Sequence, residues 1–228
     1  MDDLTKVKDR KGSNDLTVIG SPIMQSFPEN ASGSTIVGDF SMKRKGVSVL
    51  NFFDDNQGTK GIIPAGSDVF PVYPQGGSFS LFFRMMRRTA NGCFFVNFGG
   101  STDRFGCYPT NGNGSIKIDV TDGTNILSHT ALAAISDSEW HHVAGVVVYG
   151  SPSTLKIYID GALSSSNTGT LTASQPVSRD VTIGSYGNNY EQTGPIACMK
   201  FYQTSLSDDE VEQIYRSDLR LIKGLENE

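Results

Sequence analysis

The residues with most chemical reach are His141 and His142, adjacent in Trp140-His141-His142-Val143-Ala144. Neighbouring strand residues point to opposite faces, so the two imidazoles cannot jointly chelate a metal without distortion. The expectation is that one of them packs and hydrogen-bonds internally. His129 has neither an H-x-H spacing nor an acidic partner nearby in the chain. No serine sits in a G-x-S-x-G elbow, and G-x-G-x-x-G and P-loop patterns do not occur, which leaves nucleophile-elbow and nucleotide chemistry without a sequence basis. Trp140, the single tryptophan, reads as a core anchor at a strand start rather than a sugar-stacking platform. For recognition the most suitable stretch is Tyr186-Gly187-Asn188-Asn189-Tyr190, which mixes flat aromatic surfaces with amide donors and acceptors. Tyr186, Asn188, Asn189 and Tyr190 are therefore the candidate ligand-binding residues. The basic runs Lys43-Arg44-Lys45 and Arg84, Arg87, Arg88 are small and read as solvated loop or strand-edge charges.

The elements that must position these groups are strands. From Trp140 to Tyr149 the chain is rich in Val, aromatic residues and His, and from Leu155 to Ile159 apolar and polar residues alternate, with Gly150 to Ser153 between the runs. That is a hairpin. Asp160-Gly161 offers the positive φ angles of a tight two-residue turn into a third strand from Ala162. Ser78 to Met86 alternates Phe79, Leu81, Phe83 and Met85 against Ser80, Phe82, Arg84 and Met86, and predicts a core strand. The apolar run Cys93 to Phe98 is expected to pair with it. Ile62-Ile63 and the Pro-punctuated Val69 to Pro74 read as edge or connecting segments. Arg104 to Tyr108, then Ile116 to Val120 after a turn at Asn111 to Gly114, continue the series until Asp122-Gly123 turns the chain back. Further strands are expected at Leu16 to Ile19, Thr35 to Val37, Val47 to Phe53, Val181 to Gly184 and Ile196 to Tyr202. Strands every ten residues or so, with turns between, are the sandwich or barrel signature.

One helix is encoded by Leu206-Ser207-Asp208-Asp209-Glu210-Val211, a capping box with Ser207 as N-cap, Glu210 at N3 and a Leu206–Val211 staple. Val211, Ile214 and Tyr215 form its apolar stripe. Beyond Ser217 the pattern fades and predicts a tail. A chain of 228 residues suits one sandwich domain over 1–228, with its core at about 9–215 and a tail from 216 to 228. A net charge of -5 argues against a nucleic-acid footprint, and no run approaches a membrane span. Cys93, Cys107 and Cys198 are too few and too widely spaced for a disulfide framework or zinc knuckle, and read as buried thiols. MDDLTKVKDRKG lacks an apolar signal region, so the expectation is a soluble product made in the cytoplasm.

Trp140-His141-His142-Val143-Ala144, Leu155 to Gly161 with its Y-x-D-G, Val181-Thr182-Ile183-Gly184, Gly194-Pro195-Ile196 and Leu206 to Val211 occur in the order of a concanavalin A-like, laminin G-type jelly-roll domain. Lys8 to Leu16 is similar to a degraded form of that family's D-x-S-G-N-x-x-x-L opening. The resemblance implies an all-β, two-sheet antiparallel jelly-roll sandwich with one short C-terminal helix. It allows many functions, from lectins and glycosidases to adhesion modules and virion decorations. Hydrolases of this superfold carry E-x-D-x-x-E on one strand, a motif absent here; Asp119 and Asp122 do not satisfy its spacing and Glu139 stands alone. The resemblance also raises calcium, with Asp103 and Asp122 as candidate ligands, although no cofactor is required and turn-making explains both residues. The expected function is a non-enzymatic structural or adhesive module. Without a signal peptide, it reads as a phage or viral capsid or tail surface component, with virion subunits or other copies of itself as partners. The alternative is a lectin-like module with glycan partners, followed by a glycosidase relative.

Overall fold

A computed structural model of the chain describes residues 6–7, 16–19, 35–37, 49–52, 60–63, 71, 73–85, 92–98, 104–110, 114–131, 135, 139–174, 180–184 and 194–226. In chain order its strands are β1 (Lys6–Val7), β2 (Leu16–Ile19), β3 (Thr35–Val37), β4 (Val49–Phe52), β5 (Lys60–Ile63), β6 (Gly77–Arg84), β7 (Phe95–Phe98) and β8 (Arg104–Pro109). They continue with β9 (Ile116–Thr121), β10 (Ile126–Ala131), β11 (Trp140–Val148), β12 (Ser153–Ile159), β13 (Ala162–Gly169), β14 (Val181–Ile183) and β15 (Gly194–Tyr202). A helix, α1 (Asp208–Glu226), follows. One sheet runs β1-β2-β5-β14-β7-β8-β9-β10 and the other β13-β12-β11-β6-β15-β4-β3, and every pairing is antiparallel. This is the expected jelly-roll sandwich.

Period-2 alternation builds its interior. Phe79, Leu81 and Phe83 of β6 face Phe95, Phe105 and Ile118 of the opposite sheet in one apolar cluster. Phe79 and Phe95 meet edge to face with centroids 4.7 Å apart, while Phe83 and Phe94 lie 4.3 Å apart. These contacts correct one expectation: β7 does not pair with β6 but with β8 and β14 in the other sheet. A continuous apolar run encodes burial on both sides without naming its hydrogen-bonding partner, and here the chain crosses between sheets after Arg84. A second correction concerns Ile62-Ile63. They lie in β5, an interior strand between β2 and β14.

The Asp160-Gly161 turn has φ of 50° and 79° and joins Ile159 to Ala162 in register, as a two-residue hairpin requires. At the start of α1, Ser207 N donates to Glu210 Oε2 at 2.7 Å and Glu210 N donates to Ser207 Oγ at 3.3 Å, closing the capping box. The segment expected to be a tail is instead helical as far as Glu226. Its residues at spacings of three and four, Val211, Tyr215, Asp218 and Ile222, face the seven-stranded sheet, and a polar Asp218 within that stripe hid the continuation. Lys200 donates to both Asp218 oxygens at 2.7 Å. At the other end Lys156 and Tyr158 donate to Asp208 at 2.7 and 2.6 Å. α1 thus covers Tyr158, Ala144, Val146, Phe82 and Ala197, which stand on the outer faces of β12, β11, β6 and β15. Among the described residues no helix is long and apolar enough to cross a membrane.

Candidate functional site

Among the described residues, three places gather polar or aromatic side chains. The first lies under α1. His142 is fully buried, its Nε2 2.9 Å from Ser80 Oγ and its ring 5.1 Å from Phe82 and 5.4 Å from Tyr215. Burial holds this imidazole down at about 4. His141 points the other way and meets Asp160 Oδ2 at 2.9 Å through Nδ1, while Asp160 Oδ1 accepts the His142 N–H at 2.8 Å. Burial alone would raise the Asp160 carboxyl, but the hydrogen bonds from His141 and the His142 N–H, with the charge of His141 when protonated, bring it below its ordinary value. Trp140 is half-buried against the cluster beneath α1, with the Arg84 guanidinium 5.8 Å from its ring centre. These residues lock the hairpin and helix together; the packing role expected for one of the two histidines falls to His142, beside Trp140.

The second place is the outer face of the eight-stranded sheet. Asp119 of β9 is buried there and binds Arg104 Nη1 at 3.1 Å and Lys117 Nζ at 3.2 Å; it also accepts hydrogen bonds from Tyr108 and Ser128. The cations are themselves only about a quarter to a third exposed. Burial pushes the Asp119 carboxyl up, yet Ser128, Tyr108, Lys117 and Arg104 outweigh it and keep it below the usual value. Burial, with the neighbouring carboxylate, pushes the Tyr108 hydroxyl well above the phenol range. Sequence reading passed over this network. Alternation places Arg104 and Tyr108 on one face, and Lys117 and Asp119 on one face, but only the register Gly106–Asp119–Ser128 joins them.

The third place is one rim of the sandwich, where the segments 73–76, 122–125, 149–153 and 171–174 converge. Tyr73, 48% exposed, stands edge to face with Tyr149 at 5.2 Å between centroids, and its backbone N–H donates to Ser174 Oγ at 2.8 Å. Ser153 Oγ lies 3.2 Å from both Leu171 O and Gly150 O, so its one proton is shared between them and draws two of these segments together. Asp122 supplies the remaining brace. Its Oδ1 accepts the Thr124 and Asn125 N–H groups at 2.9 and 2.6 Å, while Oδ2 accepts Thr172 N–H at 2.7 Å and Thr172 Oγ1 at 3.1 Å. Burial opposes ionisation, but the backbone donors of Asn125, Thr172 and Thr124 hold this carboxyl well below the usual range. With Asn125 Nδ2 donating to Oδ2 at 3.1 Å as well, a cation at Asp122 would compete with five donors already in place.

Among the described residues, no group of three or more His, Cys, Asp or Glu is placed to hold a metal ion. Asp103, the other calcium candidate, lies outside the described residues, as do Tyr186, Asn188, Asn189, Tyr190, Lys43 to Lys45, Arg87 and Arg88. Cys93, Cys107 and Cys198 are buried and not joined in a disulfide, and burial pushes the thiols of Cys93 and Cys107 far up.

A family model described as concanavalin A-like lectin/glucanases superfamily matches residues 56–212, more than half of the chain. The chain belongs to the concanavalin A-like lectin/glucanase superfamily. Members and relatives of this fold resemble it in structure at low identity. Domain 4 of AbnA, a GH43 extracellular arabinanase from Geobacillus stearothermophilus in complex with arabinotriose, is 16% identical with a TM-score of 0.61, over 88% of this chain and 87% of that one. The receptor-binding domain of botulinum neurotoxin mosaic serotype C/D is 14% identical with a TM-score of 0.62, over 95% of this chain and 51% of the other. The Ruminococcus gnavus IT-sialidase CBM40 bound to alpha2,3 sialyllactose is 19% identical with a TM-score of 0.55, over 73% and 97%. At these identities the likeness is one of fold. No curated protein matches the chain. α1 covers the outer face of the seven-stranded sheet over β12, β11, β6 and β15, whereas the rim and the face around Asp119 lie outside the surface it packs on.

Proposed function

We propose that this superfamily member is a non-catalytic carbohydrate-binding module whose ligand sits on the rim at Tyr73 and Tyr149. The observation that carries this reading is the half-exposed Tyr73 ring, held edge to face by Tyr149, with its backbone N–H fixed on the Ser174 hydroxyl. A flat ring matches the apolar C–H face of a sugar, and fixed hydroxyl and amide groups beside it match the sugar's own hydroxyls. The structural relatives named with arabinotriose and sialyllactose support the same class of ligand. The non-catalytic part is supported by α1 lying across the centre of one sheet and by the missing E-x-D-x-x-E strand. A glycan array probed with labelled protein tests the reading. Saturable binding to a defined set of glycans is expected, and a blank array at high protein concentration would remove it.

The virion-surface role is a proposal about where such an adhesive module is carried. Capsid or tail genes beside its own would support that placement; a neighbourhood of secreted polysaccharide-degrading enzymes would count against it.

A further inference from the structure

Resting on the glycan-binding reading, we infer that the rim selects uncharged sugar chains, neutral pentose or hexose oligosaccharides, over uronic or sialic acid-bearing ones. The four rim segments contain Tyr, Pro, Gln, Ser, Thr and Asn but no Lys, Arg or His. Their one carboxylate, Asp122, is buried and spends its oxygens on Thr124, Asn125 and Thr172. Among these described residues a sugar carboxylate docked against Tyr73 would lose part of its hydration without gaining a cation, and a charge left uncompensated weakens recognition. The negative face of the Tyr73 ring adds repulsion where it favours C–H groups. Arg104 and Lys117, the cations of the adjoining strands β8 and β9, are held on Asp119 at 3.1 and 3.2 Å along the outer face of the sheet. The net charge of -5 works in the same direction at long range. Fold alone does not decide the matter, since arabinotriose is neutral and sialyllactose anionic.

Calorimetric titration of the full chain with neutral oligosaccharides, arabino- and gluco-configured, and with uronate or sialylated chains of equal length separates the outcomes. Neutral chains should bind at least about tenfold more tightly, with an affinity that changes little from about 0.05 to about 0.5 M salt. Tyr73→Ala should weaken that binding about tenfold while Tyr73→Phe retains it, circular dichroism confirming that both variants fold. The ligand comparison and salt series on the unaltered chain stand even where a variant does not fold. Tighter binding of acidic chains overturns this inference and leaves the glycan-binding reading standing; neutral binding indifferent to Tyr73→Ala in a folded protein overturns this inference together with the placement of the ligand on Tyr73, while glycan binding itself stands. Failure of both ligand sets to bind overturns the two together.

Discussion

His142 shows how much one side chain under α1 decides. Its imidazole is buried and neutral, with Nε2 on Ser80 and a folded value of about 4 against 6.5 for the free group. Between those values the unfolded chain takes up a proton that the folded chain refuses, so stability is complete above pH 6.5 and falls as pH drops towards 4. The expected loss is about 3 kcal/mol, from ~1.4 kcal/mol per unit of displacement. Urea unfolding at pH 7 and pH 4.5 should show this slope, and His142→Gln, which does not titrate, should flatten it. An equal slope in both proteins would assign the acid sensitivity elsewhere. Asp119 makes a contrasting case, because its worth lies in the donors it satisfies. Asp119→Ala strands Arg104, Lys117, Tyr108 and Ser128 on the sheet's outer face and should cost about 2–3 kcal/mol in denaturant unfolding. Asp119→Asn, which keeps an acceptor, should cost less.

The hairpin of β11 and β12 and the helix it supports were the most legible elements, and for a local reason. A two-residue turn is specified by the residues that occupy it, and Asp160-Gly161 adopts the positive φ pair that its sequence requires. The capping box is equally local, confined to Ser207 through Glu210. Strand partnership is not local, which explains why the apolar run of β7 was legible as buried but not as belonging to the opposite sheet from β6. The length of α1 was hidden by the same limitation. Asp218 looks like a break in an amphipathic stripe until Lys200, from another element, is placed against it. Two tests follow at this scale. Gly161→Ala should destabilise by about 2 kcal/mol, since its φ of 79° disfavours a side chain and an added Cβ would stand 2.4 Å from Tyr215 Cδ1. Truncation after Ser217 should lower the melting temperature and raise binding of a hydrophobic dye, because it uncovers Phe82, Ala197 and Cys198. Unchanged melting of the truncated chain would show that the second half of α1 contributes little.

At the scale of the whole molecule, a sandwich is two sheets that need tying at their ends as well as packing at their centre. Phe79, Phe95 and Phe105 join the sheets inside, whereas Asp122 joins them at the rim by binding the turn of β9 and β10 to Thr172, downstream of β13. The candidate glycan surface was illegible in the sequence for this reason. Tyr73 and Tyr149 are far apart in the chain and meet only because the topology returns both to one end, next to a turn whose brace is a long-range hydrogen bond. Asp122 was legible as a turn residue, and its engaged oxygens make a structural brace the sufficient account, with calcium as the competing one. The two accounts diverge in measurement. If the brace is the whole of its role, Asp122→Ala should lower stability by about 1–3 kcal/mol and speed hydrogen exchange at Thr124, Asn125 and Thr172, while Asp122→Asn recovers part of the loss. Calcium or a chelator should then leave the melting temperature of the unaltered chain in place, because a cation would have to displace five donors. A calcium-dependent rise in melting temperature that disappears in Asp122→Asn would make the rim a metal site, and the neutral surface around Tyr73 would then carry a fixed positive charge able to receive an acidic sugar.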